Sequence, residues 1–263
     1  MISFSSAQLD SWLAVFIFPL ARILAMMASA PVFSSEGVPT QIRLVIGLAI
    51  GLGLSPALPP MPSIAPGSWL GIAVLGQQVL IGVTLGFAMR IVFSAVDMAG
   101  ELIGLQMGLS FATFYDPQTS SQTPVVSEFL SLLATLLFLA MNGHLLILSV
   151  LAESFSLLPV SATPFAAKGF SALLAWAAVL FSAGLMLALP LIAALLIANI
   201  SLGVLARIAP ALNIFAVGFP VTIASGFAVM LLSLPYFGAA LERLYDRGFF
   251  ALSGIIRAGG ALP

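Results

Sequence analysis

The chain is 263 residues long, 61% hydrophobic and only 6% charged, with mean hydropathy +1.20 and net charge −1. Ordinary soluble domains carry about 25% charged residues, and eight basic plus nine acidic side chains cannot clothe a fold of this size in water. The balance excludes a soluble globular protein and a basic field for nucleic acid. With no cysteine and a single histidine, His144, it also excludes disulfides, thiolate chemistry and a histidine-based zinc cluster.

From the N-terminus, Met1 to Asp10 holds no Lys or Arg, and the apolar run that follows outlasts a signal-peptide core, so it reads as a retained anchor. No charge occurs in 44–89, 129–152, 169–206 or 208–241. A spanning helix needs about 20 apolar residues. Breaking these stretches at proline and polar clusters predicts six spans, at 11–30, 41–58, 69–95, 126–150, 170–198 and 212–236. The fold class is therefore an all-α integral membrane protein. Its connections are Pro31 to Thr40, the uncharged proline-rich Ser55 to Gly67, the polar Phe114 to Pro124, Leu158 to Phe165 and Asn199 to Asn213. None is long enough to separate a second domain, so 1–263 reads as one. Arg243, Arg247 and Arg257 favour a cytoplasmic C-terminus, weakly opposed by Arg43, Arg90 and Arg207.

Several spans carry residues that disfavour helix interiors, among them Pro19, Pro190 and Pro220. Irregular backbone at membrane depth needs protein or a wet cavity to satisfy its polar groups, which points to partner subunits. The plainer explanation is that Pro and Gly are commoner in membrane helices.

The stretch from Ala95 to Pro124 departs furthest from a plain span. Gly100, Gly104 and Gly108 recur every four residues, a doubled GxxxG that lets two helices approach closely. Asp97 and Glu101 lie beside that stripe, and a charge at membrane depth is costly unless paired or wet. They are expected at an interface, in a polar cavity, or paired with Arg90; alternatively they mark the end of span three entering water. Met107, Phe111, Phe114 and Tyr115 then precede a Ser/Thr/Gln-rich loop. Bulky apolar groups there can close a wet passage by dewetting, or simply anchor the membrane edge.

A second distinctive run, Asn199 to Pro220, sets Arg207 between two asparagines with Pro210 ending the helix, and reads as a polar hinge. After Leu241, apolar and charged residues segregate to two sides, as in an interfacial or partner-docking helix. Enzyme signatures such as HExxH, GxSxG and a Walker loop are missing, the only lysine being Lys168. Neither a cofactor nor a metal is expected.

Two segments, GLQMGLSFATFYDPQ (Gly104 to Gln118) and LGVLARIAPALNIFAVGFP (Leu202 to Pro220), resemble the FliR family among the export-apparatus proteins of type III secretion. The second is the more specific, joining Arg207, Pro210, Asn213 and Gly218 in one run. The resemblance implies one subunit of a flagellar export gate in the bacterial inner membrane at the basal body, wound together with FliP-like and FliQ-like subunits. Unfolded flagellar proteins pass through its centre. It implies that some helices are held by partner helices as well as by membrane lipid. It also implies a channel plug matching about Gln106 to Thr123, which makes Met107, Phe111, Phe114 and Tyr115 plug candidates. Gly100, Gly104 and Gly108 are then close-packing positions, and Asp97, Glu101, Arg207, Pro210 and Asn213 subunit contacts. The competing readings are a stand-alone small-molecule transporter or channel, which calls for inverted repeats and a midplane polar site, and a purely structural membrane scaffold.

Overall fold

A computed structural model describes residues 6–35, 37–62, 64–109, 124–209 and 214–260. Its helices are α1 (Ser6–Ser29), α2 (Thr40–Leu54), α3 (Trp69–Gln106), α4 (Val125–Ala140), α5 (Gly143–Leu157), α6 (Ala167–Ala177), α7 (Val179–Ile208) and α8 (Ile214–Gly260). A 3-10 turn, Ser55–Ala57, follows α2. Five helical stretches among the described residues are long and apolar enough to cross a membrane, or six if α4 and α5 form one bent span. The all-α membrane class and the expected number of spans agree with this.

Two of the boundaries that differ from the sequence-based expectation have a local reason. The expected span 126–150 divides at Asn142, which adopts a left-handed φ of 57°. Asparagine tolerates that region because its short polar side chain satisfies nearby backbone, and its carbonyl accepts the N–H groups of Leu145 (2.9 Å) and Leu146 (3.1 Å) to start α5. The last span and the charged tail form one helix of 47 residues, running through Pro220 and Pro235. Pro19 and Pro190 likewise lie within α1 and α7. A proline removes one backbone donor without forcing a helix to end where packed neighbours hold it. At the start of α3, Ser68 supplies the stop signal for the proline-rich loop, its Oγ accepting the N–H of Gly71 at 3.0 Å in the N-cap manner.

The packing forms two compact units, each assembled from distant segments: 1–91, 142–177 and 246–263 in one, 92–141 and 178–245 in the other. The chain changes unit four times, within α3, at Met141–Asn142, at Ala177–Ala178 and within α8, so no long linker marks any of the changes.

The first unit is organised by Arg22, which is fully buried in α1. Its Nε donates to Gln78 Oε1 at 2.9 Å, and one terminal nitrogen reaches the same oxygen at 2.5 Å and the Leu158 carbonyl at 2.8 Å. The other terminal nitrogen donates to the carbonyl (2.9 Å) and hydroxyl (3.1 Å) of Ser154. The guanidinium carbon stands 4.2 Å from the centre of the Phe155 ring. Ser154 and Leu158 sit at the C-terminal end of α5, whose carbonyls carry the negative end of the helix dipole. The Ser154 carbonyl already accepts the Leu158 N–H at 2.9 Å, so Arg22 adds a second donor there and a donor at the Leu158 carbonyl. Close crossing of α1 and α3 makes the geometry possible. A side chain at Gly82 would strike the Ala25 Cβ at 2.8 Å, and one at Gly86 would meet the Ala30 nitrogen and Met26 oxygen at 2.7 Å.

In the second unit α3 meets α4 through Phe93, Asp97, Gly100 and Gly104, and α4 buries Val126, Leu130, Ala134 and Phe138 at every fourth position. Phe93, Phe138 and Tyr245 form a ring cluster with centroids 5.3 to 5.8 Å apart. The Tyr245 hydroxyl donates to the Ala134 carbonyl at 2.6 Å, so the polar tip of this buried ring is satisfied.

Replacing Arg22 by alanine removes the donors that Gln78 Oε1 and the Leu158 carbonyl receive from it. The expected loss is about 3 kcal/mol, read as a lower unfolding midpoint of the protein purified in detergent. R22K, which supplies three donors to a set that uses five bonds, should fall between alanine and the native protein.

Candidate functional site at the end of α3

The second unit brings together most of the described residues singled out from the sequence. Along α3, Asp97 is half-buried and Glu101 is exposed. The Asp97 carboxylate accepts the hydroxyl of Ser131, and its backbone carbonyl accepts the hydroxyl of Ser127 at 3.0 Å. Two serines one turn apart on α4 thus provide the polar setting for this acid. Glu101 projects from the next turn of α3, where it is open to a partner or to water.

The glycines of the stripe differ in what they do. Gly100 lies directly on α4: a side chain there would run into the Ser127 backbone, with its nitrogen only 2.7 Å away. Gly104 is relaxed, its nearest neighbours being Val126 side-chain carbons at 3.8 Å. Gly108 lies past the helix. Its φ of 79° is a left-handed conformation that strains any residue with a side chain. Gly108 N–H bonds to the Leu105 carbonyl and Leu109 N–H to the Gly104 carbonyl, both at 3.0 Å. This paired pattern closes a helix with glycine just beyond the cap. The four-residue repeat therefore contains a close contact, a loose one and a stop, not three equivalent packing positions.

Met107, one of the plug candidates, lies just past the last residue of α3. It is wholly buried, packed against α8, where a side chain at Gly226 would come within 2.6 Å of its Cε and Cγ. Beside it lies an open, mainly apolar groove of about 730 Å³, bounded by the end of α3, by Asn199 and Leu202 of α7, and by Gly218, Phe219 and Thr222 of α8. The Thr222 hydroxyl is within reach of Asn199 Oδ1 (3.2 Å) and of the Gly218 carbonyl (2.9 Å), and its one proton serves either. Arg207 is exposed on the last turn of α7. Phe111, Phe114, Tyr115, Pro210 and Asn213 lie outside the described residues.

Sequence reading missed Gly226, Thr222 and Asn199 as partners of the α3 terminus. The available signal was the four-residue spacing of Gly218, Thr222 and Gly226, a small-residue face hidden among the apolar residues of α8. No group of three or more acidic or histidine side chains among the described residues could hold a metal ion.

The contrast along the stripe is directly testable. Gly100→Ala forces α3 and α4 apart and should cost about 1–3 kcal/mol, whereas Gly104→Ala should change the unfolding midpoint in detergent little. Equal midpoints for the two variants would contradict the close approach at Ser127.

The sequence profile of bacterial export proteins, family 1, matches residues 13–248. Flagellar biosynthetic protein FliR of Pectobacterium carotovorum subsp. carotovorum is 45% identical over 260 residues, covering 97% of this chain and 98% of its own length. The FliR of Escherichia coli (strain K12) is 42% identical over 256 residues, covering 97% and 98%. That of Bacillus subtilis (strain 168) is 28% identical over 256 residues, covering 91% and 96%. With the match running from α1 well into α8, the chain belongs to family 1 of the bacterial export proteins, the family of flagellar biosynthetic protein FliR.

Proposed function

We infer that this chain is a subunit of the flagellar type III protein export apparatus in the bacterial inner membrane at the basal body, and that it supplies part of the wall and the plug of the export gate. The observation that carries the reading is full-length family membership: relatives above 40% identity extend over nearly the whole chain. The physical character of the helices supports it. The α2 span is almost bare of cover from the rest of the chain, and α7 and α8 are little better covered. Such helices need lipid or other subunits around them. FliP-like and FliQ-like membrane proteins are the proposed neighbours, with unfolded flagellar proteins as the passengers.

Within this reading Phe111, Phe114 and Tyr115 form the obstructing part of the plug. Their bulk excludes water and ions when the passage is empty, by the dewetting argument. Asp97, Glu101 and Arg207, with Pro210 and Asn213 beside the last, are proposed as subunit contacts. The exposed positions of Glu101 and Arg207 suit that role. A stand-alone solute transporter has no family support, and the groove at the end of α3 lacks the convergent charged groups such a site uses.

In cells that carry the complete apparatus, the double substitution Phe111→Ala with Phe114→Ala should raise ion leak several-fold while complex assembly persists. Native leak from an assembled variant would remove these rings from the plug. Charge removal by E101Q together with R207Q should lower the yield of complex co-purified with the two partner subunits by several-fold. An unchanged yield would cancel the contact assignment.

A further inference from the structure

We propose that Gly226 is a positioning residue of the gate: its missing side chain forms the seat that locks Met107 and thereby sets where the backbone leaves α3. The proposal rests on the plug reading above, since what leaves α3 at that point is the segment carrying Phe111, Phe114 and Tyr115. Three observations carry it. Met107 is completely buried although it lies beyond the last residue of α3. Its thioether fills the space over Gly226, so that a single added carbon there would stand 2.6 Å from Cε and Cγ and 2.8 Å from Sδ. The next residue, Gly108, turns the chain in a left-handed conformation and stands with its Cβ direction 3.5 Å from the Phe219 ring, two turns earlier on α8.

The seat and the turn act in series. Ile103 and Met107, one turn apart, are both fully buried and hold the last turn of α3 in place. The Met107 N–H still donates to the Ile103 carbonyl at 2.9 Å, so the side chain is fixed on backbone that remains helical. Gly108 then ends the helix within one residue of that fixed point. Methionine suits a seat whose shape is set by backbone, because its unbranched chain adapts to a narrow space. On α8, Gly218, Thr222 and Gly226 share one face, and the Thr222 hydroxyl lies within hydrogen-bond reach of Asn199 of α7. The end of α3 is thereby referred to two other helices of the same unit.

The test is made in the fully assembled gate, with ion leak, export and complex yield measured together. Gly226→Ala should displace Met107 and raise leak about tenfold at near-native complex yield, with export reduced. Met107→Ala empties the seat and should also leak. The double variant M107A/G226A should leak no more than M107A alone, because the added methyl then enters a vacated space. Effects that multiply, or native leak in an assembled G226A, would overturn the proposal. Phe111→Ala with Phe114→Ala serves as the reference. If those variants do not leak, the plug reading fails; if they leak and G226A does not, only the seat fails. Should G226A lower complex yield, the chain's lack of native cysteine offers a second measurement. A cysteine placed by M107C should resist a water-soluble maleimide in the assembled gate, and prompt labelling of this subunit would disprove the seat.

Discussion

A guanidinium removed from water must find an acceptor for each of its five N–H groups, and this requirement shapes the first unit. The five hydrogen bonds that Arg22 donates use no carboxylate; they take one amide oxygen from α3 and three oxygens from the end of α5. The helix dipole leaves the last carbonyls of α5 negative, so an arginine at that point is met by favourable charge as well as by acceptors, even where Ser154 already holds the Leu158 N–H. Three helices from distant stretches of the sequence are fixed by one side chain, and α1 must lie close to α3 for the reach to suffice. Gly82 and Gly86 provide that closeness.

The same economy recurs in the second unit with smaller groups. Where surroundings are apolar, association cannot rely on driving apolar surface out of water, so packing and interhelical hydrogen bonds decide which helices meet. Gly100 lets α4 approach to backbone contact, and Ser127 and Ser131 use that approach to reach Asp97. At the end of α3, Gly226 accepts Met107 in the same fashion. Close glycine contact and a polar or adaptable side chain thus occur together at each of these crossings.

This pairing also explains what could be read from the sequence. Class, approximate spans and connecting segments follow from charge-free stretches and turn residues, because the cost of exposing backbone or charge to lipid leaves little freedom. Asp97 and the glycine stripe were visible for the same reason. Arg22 was equally legible as an ionisable residue inside a span, yet its acceptors were not: Gln78, Ser154 and Leu158 look ordinary until the fold brings them together. The break at Asn142 was signalled by the Asn-Gly dipeptide within an apolar run. The burial of Met107 left no such mark, since a methionine in a seat and one facing a passage occupy the same kind of sequence.

The length of α8 bears on what surrounds the molecule. Forty-seven helical residues extend about 70 Å along the axis, against about 30 Å of hydrocarbon. Large apolar side chains are exposed on the chain's own surface from Val217, through Leu232 at 76%, to Tyr236, and after that only at Phe250, beyond the exposed charges of Glu242, Arg243, Asp246 and Arg247. The first stretch covers about 30 Å of helix axis, a depth that lipid tails or other apolar helices can cover. The charged turns after Leu241 suit water or the headgroup layer instead. The helix outlasts the hydrocarbon because its composition changes along its length, so one element serves two surroundings.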